Sequence, residues 1–296
     1  MIVVPFEMVD MFAHEPFSGS QLTVVPDADG LTDAAMEALA REVNTPETAF
    51  VLPPADPGAT YRVRVFTLAG ETPFGGHSSL GTAVTLVRLG RVAPGAVAQE
   101  CGSRLHSLSV GPDKGTVTAE KPVEAREPDL RLLTAAAGVD PADVVEAPVR
   151  TAGFGPAFHY LQVREGVVPG ARADLELMAR RDLPDVMVFS WDPRTRQATA
   201  RVFAPGYGMP EDPACASNAL GLGEWLVAAG RLPAADGTYE YLIRQGVGSP
   251  RVGTVECSVT VDSGCAVRAS ATGSVVPVAR GEFLLGPDLA TAVASV

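Results

Sequence analysis

The feature that most constrains this 296-residue chain is that its two halves spell out the same order of parts. The tripeptide RVF at Arg64 to Phe66 recurs at Arg201 to Phe203. After the first come a Gly/Pro turn, GHSS and the helical run LGTAVTLVRLG. After the second come the Gly/Pro turn PGYGMP, then EDPACASN and the helical run ALGLGEWLVAAG. Phe66 to Ser78 and Phe203 to Ser217 are similar spans, and upstream PETAFV from Pro46 is echoed by PDVMVF from Pro184, each just before a strand. Three features in one order, half a chain apart, indicate two duplicated domains, with a chance likeness of strand-turn-helix units as the alternative. The polar, charged, proline-containing segment near residues 118–128 sets the boundary. The expected domains are 1–122 and 123–282, with the last strand, about 283–296, a candidate to return to the first.

Local patterns fill in the first half. IVVPFEMVDMF and LTVVPDA are strands flanking a polar, glycine-containing turn. A helix starts at Thr32 or Asp33, carries an apolar stripe of Met36, Leu39, Ala40 and Val43, and ends near Asn44 and Pro46. TAFVLPPADPG is a short strand entering a proline-rich loop, and YRVRVFTLAG alternates as a half-buried strand does. Gly90 closes the helix that follows GHSS.

Composition narrows the class. At 46% hydrophobic and 20% charged residues the chain is an ordinary globular one. A net charge of −12, with the basic residues dispersed, argues against nucleic acid or an anionic membrane as partner. No run approaches the ~18 apolar residues that span a bilayer. The N-terminus breaks its apolar run with Pro5 and Glu7 and lacks a basic lead, so it is a poor signal peptide and a cytoplasmic location is expected. The four cysteines show no CxxC pairing and the four histidines no HxxxH, so the thiols are expected reduced and no metal is expected. GxGxxG and GxxxxGK[ST] are absent, which removes support for dinucleotide and P-loop readings.

The two loops that feed helices are where chemistry could sit. A helix N-terminus offers unpaired N–H groups and about half a positive charge, so each loop suits an anion. Gly75 and Gly76 allow close backbone approach, and Ser78, Ser79 and Ser217 offer hydroxyls, although plain capping of the helices explains the same residues. His77, set among small residues, is either structural or a neutral donor or acceptor at a helix start. Glu47, ahead of the apolar run TAFVLP, is either a solvated loop acid or a partly desolvated proton shuttle. Asp212 follows Glu211 before the second loop, where paired acids also serve as N-terminal charge stabilisation. Cys215 is the one cysteine placed where a helix N-terminus would lower its pKa, although buried packing is the default reading for it as for the other three.

The combination VDMFAHEPFSGSQLTVVPDADGL, REVNTPETAFVLPP, VFTLAGETPFGGHSSLGTA and GMPEDPACASNALG resembles the phenazine-biosynthesis-like, PhzF-type isomerases, which share the diaminopimelate epimerase fold. The match runs from the first strand to about residue 225. The resemblance implies an α+β fold of two pseudo-symmetric domains, each a mainly antiparallel sheet curled around a central helix, with the active site between them. It further implies proton transfer at carbon without a cofactor, a small-molecule carboxylate substrate of secondary metabolism such as antibiotic biosynthesis, and a homodimer. By the same resemblance Glu47 moves the proton, and His77 and Asp212 hold or assist the substrate. Ser217, with the backbone at Gly76 and Ala216, binds a carboxylate, and Gly75, Ser78, Cys215 and Ser20 line the substrate site. The chain departs from the family's usual motifs in having Ser20 and Gln21 for G-N-P, Cys215 and Ala216 for T-G, and Gly248, Ser249, Pro250 and Arg251 for G-R-P-S. These departures bear on the substrate more than on the chemistry. The epimerase relatives use two facing cysteines, and here Cys215 has only Gly75 or Gly76 at the matching place, which disfavours a two-thiol racemase.

Overall fold

The computed structural model describes residues 2–68, 70–72, 76–148 and 150–286, apart from the side chains of residues 76 and 77. The chain divides into two units, one of residues 1–17, 21–116 and 274–296, the other of residues 18–20 and 117–273.

The first unit contains β1 (Ile2–Met11), all but the first residue of β2 (Ser20–Val25), α1 (Asp33–Val43), β3 (Glu47–Leu52), β4 (Tyr61–Thr67), β5 (Gly70–Thr72), α2 (Gly76–Arg88), β6 (Gly95–Cys101), β7 (Arg104–Val110) and the start of β8 (Lys114–Glu120), whose remainder lies in the second. The second contains α3 (Leu130–Ala137), β9 (Thr151–Ala152), β10 (Phe158–Gln162), α4 (Leu175–Arg180), β11 (Val186–Asp192), β12 (Gln197–Ala204), β13 (Met209–Asp212), α5 (Ala216–Ala228), β14 (Gly237–Gln245) and β15 (Gly253–Asp262). The boundary falls inside the long strand β16 (Cys265–Leu285), which contributes to both.

Pairing repeats from unit to unit. In the first, β2 runs parallel to β3, β3 antiparallel to β4, β4 parallel to β6 and β6 antiparallel to β7. In the second, β10, β11, β12, β14 and β15 follow the same alternation of parallel and antiparallel pairs. The first ladder closes on itself, because β16 neighbours β8 and also pairs with β1 from Ile2↔Leu285 to Met11↔Val275.

Each parallel step needs a crossover, and a helix supplies it. The helix α1 starts where Thr32 caps the Ala35 N–H at 3.1 Å and stops at Asn44, whose φ of 57° ends the winding. Its apolar stripe, Met36, Leu39 and Ala40, packs on Val25, Phe50, Leu52 and Phe66. In the second unit Leu133, Ala136 and Ala137 of α3 and Met178 of α4 cover Leu161, Val186, Val188 and Phe203. The other two crossover helices are central. Leu80, Ala83, Val84 and Leu86 of α2 are buried, and the helix touches β1, β3, β6 and β7. In α5 every residue from Ala216 to Val227 is buried, and the helix touches β9, β10 and β15.

A helix buried on all sides needs small residues where strands approach, and both central helices have a glycine at the same place. A Cβ on Gly221 would lie 2.3 Å from the Tyr160 hydroxyl and 3.0 Å from the Ala152 carbonyl oxygen, and one on Gly81 would lie 2.3 Å from Met11 Sδ. The Tyr160 ring is buried and its hydroxyl donates to the Asn218 carbonyl at 2.8 Å, so it cannot yield, whereas the Met11 and Leu22 side chains can. Gly221→Ala is therefore expected to cost about 1–3 kcal/mol of overpacking, more than the ~1 kcal/mol that alanine returns in helix propensity. Gly81→Ala should cost less. Urea unfolding midpoints at constant slope test this, and a midpoint raised by Gly221→Ala would contradict it.

Candidate active site

Both central helices are launched by the same device. Arg64 donates from Nε and Nη2 to the two carboxylate oxygens of Glu71, at 2.8 and 2.6 Å, across the β4–β5 hairpin. Arg201 does the same to Glu211, at 2.9 and 2.6 Å, across β12–β13. Each guanidinium also lies by the phenylalanine two residues on, 5.3 Å from the Phe66 centroid and 4.9 Å from that of Phe203. Two-pronged contacts of this kind fix orientation as well as distance.

Register turns the echo into a residue-by-residue correspondence. Val65 pairs with Thr72 and Val202 with Asp212, and the same number of residues leads from each clamped glutamate to its helix. Thr72 thus matches Asp212, Gly75 matches Cys215, Gly76 matches Ala216, His77 matches Ser217 and Ser78 matches Asn218. The sequence comparison paired Ser78 with Ser217. Register instead matches Ser78 with Asn218, the second connection being the longer one and containing the 3₁₀ turn Pro205–Tyr207.

Glu47 is the first residue of β3, buried, opposite Leu22 of β2. Its carbonyl accepts from the Thr45 hydroxyl at 2.9 Å. Asp212 ends β13, also buried; its carboxylate accepts from the Ala214 N–H at 3.0 Å and its carbonyl from Gln245 Nε2 at 2.8 Å. Ala216 and Ser217 form the first turn of α5, and Gly76 and His77 that of α2. Gly75 lies outside the described residues, as does the His77 side chain. Ser20 opens β2 and is buried, and Ser78 and Ser79 are buried in α2. The hydroxyls of Ser20 and Ser78, and both ends of the fully buried Asn218 amide, have no hydrogen-bond partner among the described residues.

At Cys215 burial, and not the helix end, decides the thiol. Cys215 caps α5, its sulfur accepting the Asn218 N–H at 3.5 Å, yet its thiol is pushed well above the ordinary value. Burial is the main cause and the neighbouring Asp212 adds to it, and together they outweigh the N–H groups of the helix end.

Sequence reasoning missed a buried pair. Thr48 pairs with Phe66 and Val186 with Phe203, so the residue matching Glu47 is Asp185. Asp185 is fully buried and accepts the His159 N–H at 3.2 Å, with the His159 ring Nδ1 3.0 Å from its other oxygen. Burial pushes its carboxyl up, against the opposing pull of His159. The Tyr207 hydroxyl is pushed up to about 12, chiefly by burial and then by Asp185 and Cys215. The echo of PETAFV in PDVMVF was the available signal for Asp185.

Among the described residues no group of three or more His, Cys, Asp or Glu could hold a metal, and no helix is long and apolar enough to cross a membrane. A family model described as phenazine biosynthesis-like protein matches residues 9–281. The chain belongs to that family. Within it, the trans-2,3-dihydro-3-hydroxyanthranilate isomerase of Pseudomonas aeruginosa is 31% identical over 226 residues, 72% of this chain and 76% of the relative. A PhzF-family phenazine biosynthesis protein of Bacillus anthracis superposes with a TM-score of 0.86 at 22% identity, covering 96% of this chain and all of that one. A probable proline racemase from Agrobacterium radiobacter matches with a TM-score of 0.64 at 16% identity, covering 96% of this chain and 94% of that one, which places the α+β architecture in the epimerase-like group of folds. As a phenazine biosynthesis-like protein with relatives named as isomerases, the chain is an isomerase.

Because the thiolate is the reactive form, iodoacetamide near neutral pH should label the exposed Cys265 well before Cys215. Peptide mapping over a time course checks this, and Cys215 labelled as fast as Cys265 would contradict the raised thiol.

Proposed function

We propose that this protein shifts a proton and a double bond in a small unsaturated carboxylate of secondary metabolism, an amino-acid-derived intermediate, without a cofactor. The observation that carries the reading is the buried carboxylate of Glu47 at the first residue of β3, within the region the isomerase family model matches. In the matching place of the other half the acid is paired with His159, whereas the Glu47 carbonyl accepts from the Thr45 hydroxyl, which also neighbours the hydroxyls of Thr23 and Thr48.

In the proposed reaction a C–H bond at an allylic carbon breaks, the proton passes to the Glu47 carboxylate, and it returns to a carbon further along the conjugated system as the double bond moves. Nothing is oxidised or reduced. Backbone N–H groups at Gly76 and Ala216, with Ser217, hold the substrate carboxylate at helix ends, where the dipole favours the negative charge that develops. Gly75, Ser78 and Ser20 line the substrate, and His77 and Asp212 hold or assist it. The likeness to a relative named for trans-2,3-dihydro-3-hydroxyanthranilate supports a cyclic, carboxylate-bearing substrate. An epimerase pairing Glu47 with Cys215 is not favoured, because that thiol holds its proton tightly and its counterpart is Gly75.

With trans-2,3-dihydro-3-hydroxyanthranilate as probe, Glu47→Gln keeps the size of the side chain and removes the base. Turnover followed by absorbance should fall roughly 10²–10⁴-fold in kcat, the usual worth of a positioned general base, with KM changed only a few-fold. Full activity in Glu47→Gln would end the proton-shuttle assignment.

A further inference from the structure

We propose that Arg201 is a positioning residue, and that its ion pair with Glu211 and the turn over residues 246–253 form one frame that sets Asp212 and the Ser18–Ser20 segment in place. This rests on the assignment of Asp212 and Ser20 to the substrate site. Arg201 is buried, and each arm of its guanidinium is used: Nε and Nη2 on Glu211, the neighbour of Asp212, and Nη1 on the Ala171 carbonyl at 2.7 Å. Its counterpart Arg64 instead spends Nη1 on the exposed Asp33. Among the described residues, it is the second clamp that is anchored to another loop's backbone.

The turn is built onto this guanidinium. Gly248 approaches so closely that a Cβ there would lie 2.3 Å from Arg201 Cζ and 2.4 Å from Nε. Gln245, where the turn begins, donates to the Asp212 carbonyl, and a Cβ on Gly246 would meet the Pro213 carbonyl oxygen at 3.0 Å. At the other end Arg251 donates from Nε to the Gly19 carbonyl at 3.0 Å and from Nη2 to that of Ser18 at 3.2 Å, while the Gly19 N–H donates to Val252 at 3.1 Å. Gly253 joins the two, since a Cβ on it would lie 2.6 Å from the Ala214 methyl and 3.4 Å from Gly19 Cα. The residues that replace the family's G-R-P-S thus brace, on one side, the strand end that presents Asp212 and, on the other, the segment that presents Ser20.

Two variants of the full chain test the frame. Arg201→Lys keeps the charge but not the two-pronged contact. Gly248→Ala keeps every charged group and forces the guanidinium to move, so it serves if the first variant fails to fold. Hydrogen–deuterium exchange without substrate should quicken at the Gly19 and Ala214 amides by roughly fivefold or more in each folded variant, the scale of one lost hydrogen bond, while the α3 amides stay at the wild-type rate. With trans-2,3-dihydro-3-hydroxyanthranilate, kcat should fall about 100-fold, the scale of an ångström of misplacement, with a smaller change in KM. Unchanged exchange at both amides, or faster exchange with unchanged kcat, overturns the proposal. A wild type that does not turn over the probe defeats the functional reading instead, and the exchange rates still decide the frame.

Discussion

A guanidinium held against a carboxylate, with a phenylalanine ring beside it, closes the hairpin ahead of each central helix. That contact decides where the helix begins, because the strand after the turn is short and the chain must leave it within a few residues. In the first half the pair is Arg64 with Glu71 and in the second Arg201 with Glu211. The helix that follows is enclosed by the sheet over most of its length, so its first turn is delivered to a definite place, in α5 with the Cys215 sulfur capping the Asn218 N–H. Glycines at Gly81 and Gly221 allow the enclosure, and β3 and β11 pair in matching registers with the clamped strands, Glu47 opening β3 and Asp185 standing just ahead of β11.

On this repeated frame the two halves have diverged. Glu47 and Asp185 stand at one position, Thr72 and Asp212 at another. The acid of the second half at the first position is bound to His159, and the first half at the second position has a hydroxyl in place of a carboxylate. Glu47 and Asp212 thus stand at different places on the repeated module, one in each half. Two mirrored thiols, as in a racemase of this architecture, would call for like residues at like places, and Gly75 against Cys215 is the reverse of that.

Much of this was legible in the sequence where the signal was local. Thr32 and Asn44 marked both ends of α1, and the RVF echo marked both clamped strands. What was not legible depended on burial or on register. A helix start suggested a lowered thiol pKa at Cys215, but desolvation and the Asp212 charge act in the opposite direction and are properties of the packed state. That Ser78 matches Asn218 and not Ser217 is set by strand register, which loop length alone does not give. His159 and Asp185 lie 26 residues apart, and only the parallel pairing of β10 with β11 brings them together. The strand β16 belongs partly to each unit, which the alternation of its residues does not reveal.

The central claim is that Glu47 carries a proton to and from carbon. The most direct measurement is turnover of trans-2,3-dihydro-3-hydroxyanthranilate in heavy water, with the product read by NMR for the wild type and for Glu47→Gln. Deuterium appearing at a single new C–H position with the wild type, and none with the variant, is the predicted result. Deuterium entering that position at the wild-type rate in Glu47→Gln would contradict it.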